Sequence, residues 1–204
     1  MNIESDFDVL LKIAVLGDAT VGKTNLVLRF TENTFSPNVA PTIGYDYKSK
    51  TITLIDSNKK AKIQIWDTAG QERFMALSKT VYQRVDGVML VYDITRRPTF
   101  DNILSWITIV KEFKANFPIM IIGNKIDKED ERQVTSEEGK NLADENKFKF
   151  FETSALKGVN VEEAFINFSN EVLDNLKANT SLNKDNDSFS IEKPKKKKKK
   201  KCCK

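Results

Sequence analysis

Eight residues constrain this chain more than any others: Gly17-Asp18-Ala19-Thr20-Val21-Gly22-Lys23-Thr24. They match the pattern G-x4-G-K-[ST], a loop that cradles phosphate. The glycines let backbone N–H groups come close to phosphate oxygens, and the helix that follows points its positive end at the same place. Lys23 supplies a point charge to the β- and γ-phosphates, and the Thr24 hydroxyl is placed to bind Mg²⁺. Context supports the motif. The apolar run Val9-Leu-Leu-Lys-Ile-Ala-Val-Leu16 ahead of it reads as a buried strand, and Leu26, Val27 and Phe30 behind it have helical spacing. A strand, this loop and a helix in succession form the first unit of a parallel sheet that binds a nucleoside triphosphate.

The remaining elements alternate in kind. Thr31 to Pro41 reads as an irregular loop; 45–55 and 61–67 read as a hairpin turning at Asp56–Lys60. Gly87–Tyr92 and Phe117–Ile122 are short apolar runs of the sort buried on both faces. Helices are predicted near 98–113, 135–146 and 160–177, with a last strand at 147–152. The expected fold is α/β: a mostly parallel six-stranded sheet with helices on both faces and one antiparallel edge.

Two further motifs narrow the ligand. Asn124-Lys125-Ile126-Asp127 directly follows an apolar strand. A carboxylate at Asp127 can accept hydrogen bonds from guanine N1–H and its 2-amino group; adenine offers neither donor, and a buried carboxylate left unpaired is costly. Trp66-Asp67-Thr68-Ala69-Gly70-Gln71 ends another strand. Asp67 there can hold Mg²⁺ through water, Gly70 leaves room for its amide to approach the γ-phosphate, and Gln71 can orient an attacking water. A metabolic phosphate-loop enzyme would need an acceptor-substrate site, and none is found. A scaffold indifferent to nucleotide would not need Lys23, Thr24, Thr42, Asp67 and Gln71.

These motifs, with Thr42 in the first loop and Glu152-Thr153-Ser154-Ala155-Leu156 near the end, are similar to the five nucleotide motifs of the Ras superfamily over roughly residues 8–177. The resemblance implies a small G domain of the phosphate-loop NTPase class that binds GTP or GDP with Mg²⁺ and hydrolyses GTP slowly. It implies a phosphate-binding set running from Gly17 to Asn25. Thr42 would complete the Mg²⁺ shell with Thr24 and Asp67, and Ser154, Ala155 and Leu156 would line the base with Asn124, Lys125 and Asp127. Catalysis would fall to Gln71, Lys23, Thr42 and Gly70. Phe35 would pack on guanine, unless it is a core aromatic beneath a loop. Within the superfamily, Ile43–Tyr47, Lys62–Asp67 and Leu90–Thr95 resemble Rab proteins, with Tyr47, Trp66 and Tyr82 as the aromatic trio read by effectors. The Rab pattern implies exchange and GTPase-activating proteins, escort and membrane-extraction proteins, and trafficking effectors around a monomer. Thr20 departs from the pattern, which usually has Gly or Ala there, and Ala19 stands where Ser is common.

Charge is where composition enters. The net charge is +4, but from Ala178 onward ten lysines face three acids, so that segment carries +7 and the rest −3. An acidic folded body argues against nucleic-acid binding. Residues 1–177 are expected to form the domain, and 178–204 a disordered tail ending in seven lysines (195–201), Cys202, Cys203 and Lys204. A lysine run is commonly only a solvated segment, and a nuclear-targeting role is conceivable. The paired cysteines instead resemble the doubly prenylated Rab terminus, with the lysines attracted to an anionic leaflet. No histidine is present, which removes His-based catalysis, and the start of the chain lacks the plan of a signal peptide. The expected location is the cytoplasmic face of an intracellular membrane, in exchange with cytosol.

Overall fold

The computed structural model describes residues 6–40, 42, 45–54, 59–68, 84–113 and 118–186. Six strands form one sheet: β1 (Val9–Leu16), β2 (Tyr45–Leu54), β3 (Lys59–Thr68), β4 (Gly87–Asp93), β5 (Ile119–Asn124) and β6 (Lys149–Thr153). Their order is β2-β3-β1-β4-β5-β6. The β2–β3 pair is antiparallel, and the other four pairings are parallel. The expected fold is therefore the observed one. Five α-helices accompany the strands among the described residues: α1 (Lys23–Glu32), α2 (Arg97–Asp101), α3 (Ile103–Phe113), α4 (Ser136–Asn146) and α5 (Val161–Asn186).

Core composition follows from layer position. Every residue of β4 and β5 is buried, as apolar runs covered on both faces require. On one face Leu11, Ile13 and Val15 of β1 meet Val27 and Phe30 of α1 and Phe165 and Phe168 of α5. The rings of Phe30 and Phe165 stack with centroids 4.2 Å apart. On the other face Ala14, Leu16, Leu90 and Tyr92 meet Trp106 and Ile107 of α3 and Ala143 of α4.

Some boundaries differ from the sequence expectation, each for a local reason. Lys59 and Lys60 belong to β3, paired with Leu54 and Thr53, because an exposed edge ribbon accommodates lysines that look like turn residues. The helix expected over 98–113 becomes α2 and α3, which meet at Asn102, a residue that keeps right-handed helical angles and both its helical backbone bonds. Strand β6 starts two residues late because Lys147 closes α4 in a left-handed conformation, φ 59°. Helix α5 continues to Asn186, nine residues beyond Lys177. Burial ceases there, but backbone and side-chain bonds such as Thr180 Oγ1 to the Leu176 carbonyl continue. No helix among the described residues is long and apolar enough to cross a membrane.

Strand order also fixes where a ligand can sit. After β1 the chain travels to β3 on one side and then to β4 on the other, so the carboxyl end of β1 is a switch point. Leu16 ends there, and Gly17 begins the loop.

Candidate functional site

The phosphate loop is shaped by its two glycines. Gly17 has φ 136°, and a Cβ on it would come 2.1 Å from the Val91 carbonyl oxygen. Gly22 has φ 100°, and its Cβ would come 2.4 Å from Asn124 Nδ2. Neither position admits a side chain. Gly22 caps α1 with no side-chain hydrogen bond, and no acid lies in the first turn. The leading N–H groups and positive end of α1 are thus left to an anion.

Lys23 is buried, and its Nζ donates to the carbonyls of Gly17 (2.9 Å) and Asp18 (2.8 Å). Burial pushes its ammonium down to about 8, opposed by the charges of Asp67 and Asp18. Beside it Thr24 Oγ1 donates to Asp67 Oδ2 at 2.6 Å, and Thr42 Oγ1 lies 3.2 Å from Thr24 Oγ1 and 3.4 Å from Asp67 Oδ2. Asp67 is buried, which raises its carboxyl above the ordinary value of 3.8 despite these donors. Its Oδ1 is buried without a hydrogen-bond partner. Two hydroxyls converge on Oδ2 of a carboxylate whose other oxygen is left unpartnered, a hard-oxygen donor set that suits Mg²⁺.

A cavity of about 550 Å³ opens over these groups and is walled by Thr20, Phe35, Lys125, Asp127, Ala155 and Leu156 among others. At its far end Ser154 Oγ donates to Asp127 Oδ1, leaving the second carboxylate oxygen for a ligand. Lys125 adopts φ 76° and forms an ion pair with buried Asp93 at 2.6 Å. Its Nζ also donates to the Thr20 carbonyl at 2.9 Å, so its stem spans the cavity's edge. A carboxylate, a lysine-bearing anion-binding loop and a half-buried Phe35 lining one cavity match a guanine nucleotide in polarity.

Comparison with known proteins agrees. Residues 12–174 match the family model described as Ras family. Over 181 residues the chain is 45% identical to human "Ras-related protein Rab-8B", covering 88% of this chain and 86% of that one. It is 46% identical over 167 residues to "GTP-binding protein ypt2" of Schizosaccharomyces pombe, covering 81% and 82%. The chain belongs to the Ras family. It is a Rab-type small GTPase, of the class that serves membrane traffic.

In this Rab-type GTPase several motif residues act on other loops. Asn124 is buried; its Nδ2 donates to the Val21 carbonyl (2.9 Å), and its Oδ1 accepts from Thr153 Oγ1 (3.2 Å) and the Ala155 N–H (3.3 Å). It staples the phosphate loop to the base loop. Asn25 exchanges two hydrogen bonds with the Ser36 backbone and so positions the segment carrying Phe35. Leu156 is exposed at the cavity wall.

Sequence reasoning missed Arg29. Its guanidinium donates to the carbonyls of Ala155 and Leu156 at 2.9 Å each, fixing the base loop from α1. An arginine on a helix carries no motif signal, although Arg29 follows Lys23 by six residues within a motif-bearing helix. Asp93 and the Asp18 partners Asn102 and Trp106 were missed likewise. Gly70, Gln71, Tyr82, Cys202 and Cys203 lie outside the described residues. Tyr47 is exposed and packs edge-on against its cross-strand partner Trp66, centroids 5.9 Å apart.

Proposed function

We propose that this GTPase is a membrane-recruited switch that binds GTP, in which Thr24, Thr42 and Asp67 would hold Mg²⁺. The observation that supports this reading best is buried Asp67, whose Oδ2 gathers the Thr24 and Thr42 hydroxyls while its Oδ1 is left without a hydrogen-bond partner. When bound, Mg²⁺ would neutralise charge developing on the phosphate oxygens. Lys23 turns its ammonium from the loop carbonyls to the γ-phosphate, whose charge restores the full cationic state. Asp127 receives the guanine donors, and Phe35 covers the ring. Gln71 orients water in line with the bond to be broken, and the Gly70 amide steadies the γ-phosphate. Water's oxygen then bonds to the γ-phosphorus, the bond to the β-phosphate oxygen breaks, and the water's surplus proton passes through a phosphate oxygen to solvent, leaving GDP and phosphate.

Unaided, the rate is on the order of 10⁻⁴ per second, and an activating protein accelerates it. Loss of the γ-phosphate releases the segments around Thr42 and Gly70, which an exchange factor resets and trafficking effectors read through Tyr47, Trp66 and Tyr82. Cys202 and Cys203 carry prenyl groups, delivered by escort proteins and withdrawn by extraction proteins. The monomer thus cycles between cytosol and the cytoplasmic face of an intracellular membrane. Chelation tests the core of this reading. With Thr24, Thr42 and Asp67 around a metal, EDTA should speed GDP release from the purified chain at least tenfold, and Thr24→Asn should abolish that sensitivity. EDTA-independent release would overturn the metal assignment.

A further inference from the structure

Three consecutive residues on the outer wall of the phosphate loop are gripped by neighbouring segments. Asp18 accepts from Asn102 Nδ2 (2.8 Å) and Trp106 Nε1 (3.0 Å). The Ala19 carbonyl accepts from Arg96 Nη1 at 3.3 Å, and the same nitrogen donates to Thr20 Oγ1. The Thr20 carbonyl accepts from Lys125 Nζ. Thr20 itself has φ 66°, in the left-handed region that β-branched residues avoid. A residue disfavoured by its own backbone is held in place by two cations from two different loops. Ala19 and Thr20 both line the nucleotide cavity.

We propose that Arg96, acting through the Thr20 hydroxyl and the Ala19 carbonyl, is a positioning residue that holds the phosphate loop closed on nucleotide and so sets the rate of its release. Thr20 is the matching half of the device. A glycine would adopt this backbone unaided but would offer Arg96 no side-chain acceptor. With threonine, the loop's binding shape depends on the guanidinium. The Arg96 side chain is exposed and does not line the cavity, so the arginine needs no contact with nucleotide. Opening this clip frees two adjacent residues of the loop together. The inference rests on this loop holding the nucleotide's phosphates.

The test is dissociation of a fluorescent GDP analogue from the full chain in Mg²⁺, chased with unlabelled GDP. Arg96→Ala should release it roughly five- to tenfold faster, the size expected for a solvent-screened, charge-assisted pair. The association rate should stay within about twofold, because the groups that meet the ligand are untouched. Arg96→Lys should recover part of the loss. Thr20→Gly, whose backbone needs no clip, should release GDP no faster than wild type, and Arg96→Ala should change release far less in that background than in wild type. One GDP bound per chain in each variant shows that the fold is kept, and Arg96→Gln gives a second measurement if Arg96→Ala does not fold.

Unchanged release in the Arg96 variants would overturn the proposal, as would effects of the two positions that simply multiply. Slower single-turnover hydrolysis with unaltered release would also overturn it, by making Arg96 a direct partner of the γ-phosphate. Failure of the wild-type chain to take up guanine nucleotide would defeat the reading beneath it instead.

Discussion

Asp127 and Asn124 stand three residues apart, yet one faces the ligand and the other faces the protein. Asp127 keeps one oxygen on Ser154 and presents the other to the cavity. Asp127→Asn exchanges an acceptor for a donor, so preference should move toward xanthine nucleotide, which has an acceptor at the 2-position. Competition binding between the two nucleotides should show selectivity for GTP falling by at least tenfold; unchanged selectivity would remove Asp127 from base reading. Asn124→Ala should act differently. It strands the Val21 carbonyl and the Ala155 N–H in a buried place, which costs about 1–3 kcal/mol for each group left unpaired. Urea unfolding of the nucleotide-loaded chain should register that loss, and affinity for guanine and xanthine nucleotides should fall together. The motif showed that both residues matter. It could not show this division of labour, because whether a side chain points at a ligand or a loop is settled by contacts more than a hundred positions away in the chain, as between Asn124 and Val21.

Elements were legible wherever local chemistry decides them. The alternation of strand and helix, the continuous burial of β4 and β5, and the start of α4 follow from residue spacing alone. Thr135 caps α4 through a reciprocal pair: its Oγ1 accepts from the Glu138 N–H, and the Glu138 carboxylate accepts from the Thr135 N–H. That backbone bond, then Arg97 and then the Thr135 hydroxyl, hold the Glu138 carboxyl down at about 2. A carboxyl depressed in the folded state stabilises fully above its ordinary value of 4.5 and loses that contribution as pH falls toward 2. Thermal unfolding should therefore find Glu138→Gln less stable than wild type at pH 7, with the gap closing between about pH 4.5 and 2. A gap that persists at pH 2 would mean the carboxylate is not the stabilising group. What could not be read was the reach of α5, which runs on past the end of the apolar periodicity with local bonds such as Thr180 Oγ1 to the Leu176 carbonyl.

For the molecule as a whole, charge is partitioned as sharply as function. The −3 body carries the nucleotide chemistry, and the +7 segment from Ala178 carries the lysines and both cysteines. Membrane affinity should come chiefly from lipid transfer, at about 0.8 kcal/mol per buried methylene, with a salt-sensitive increment from Lys195–Lys201. Replacing both Cys202 and Cys203 by Ser should leave a chain that binds GTP normally and fractionates with cytosol at any salt concentration. Neutralising the lysines alone should leave a lipid-bearing chain, its mass verified by mass spectrometry, that prefers less anionic membranes. A double Ser variant that sediments with membranes in high salt would rule out prenyl anchoring.

Helix α5 bears on how these two halves are arranged. It follows the Ser154–Leu156 loop at the carboxyl ends of the strands and runs for 26 residues, about 39 Å, toward their amino ends, where Glu171 pairs with Lys149 and Val172 lies beside Gly87. Its last nine residues add about 14 Å beyond Lys177. The protein therefore has poles. Guanine chemistry occupies one, the chain departs from the other, and a stiff rod sets the distance between them. On the anchoring proposed above, the tail would leave from the pole far from the nucleotide, so a partner could reach the nucleotide pole without first crossing the anchor.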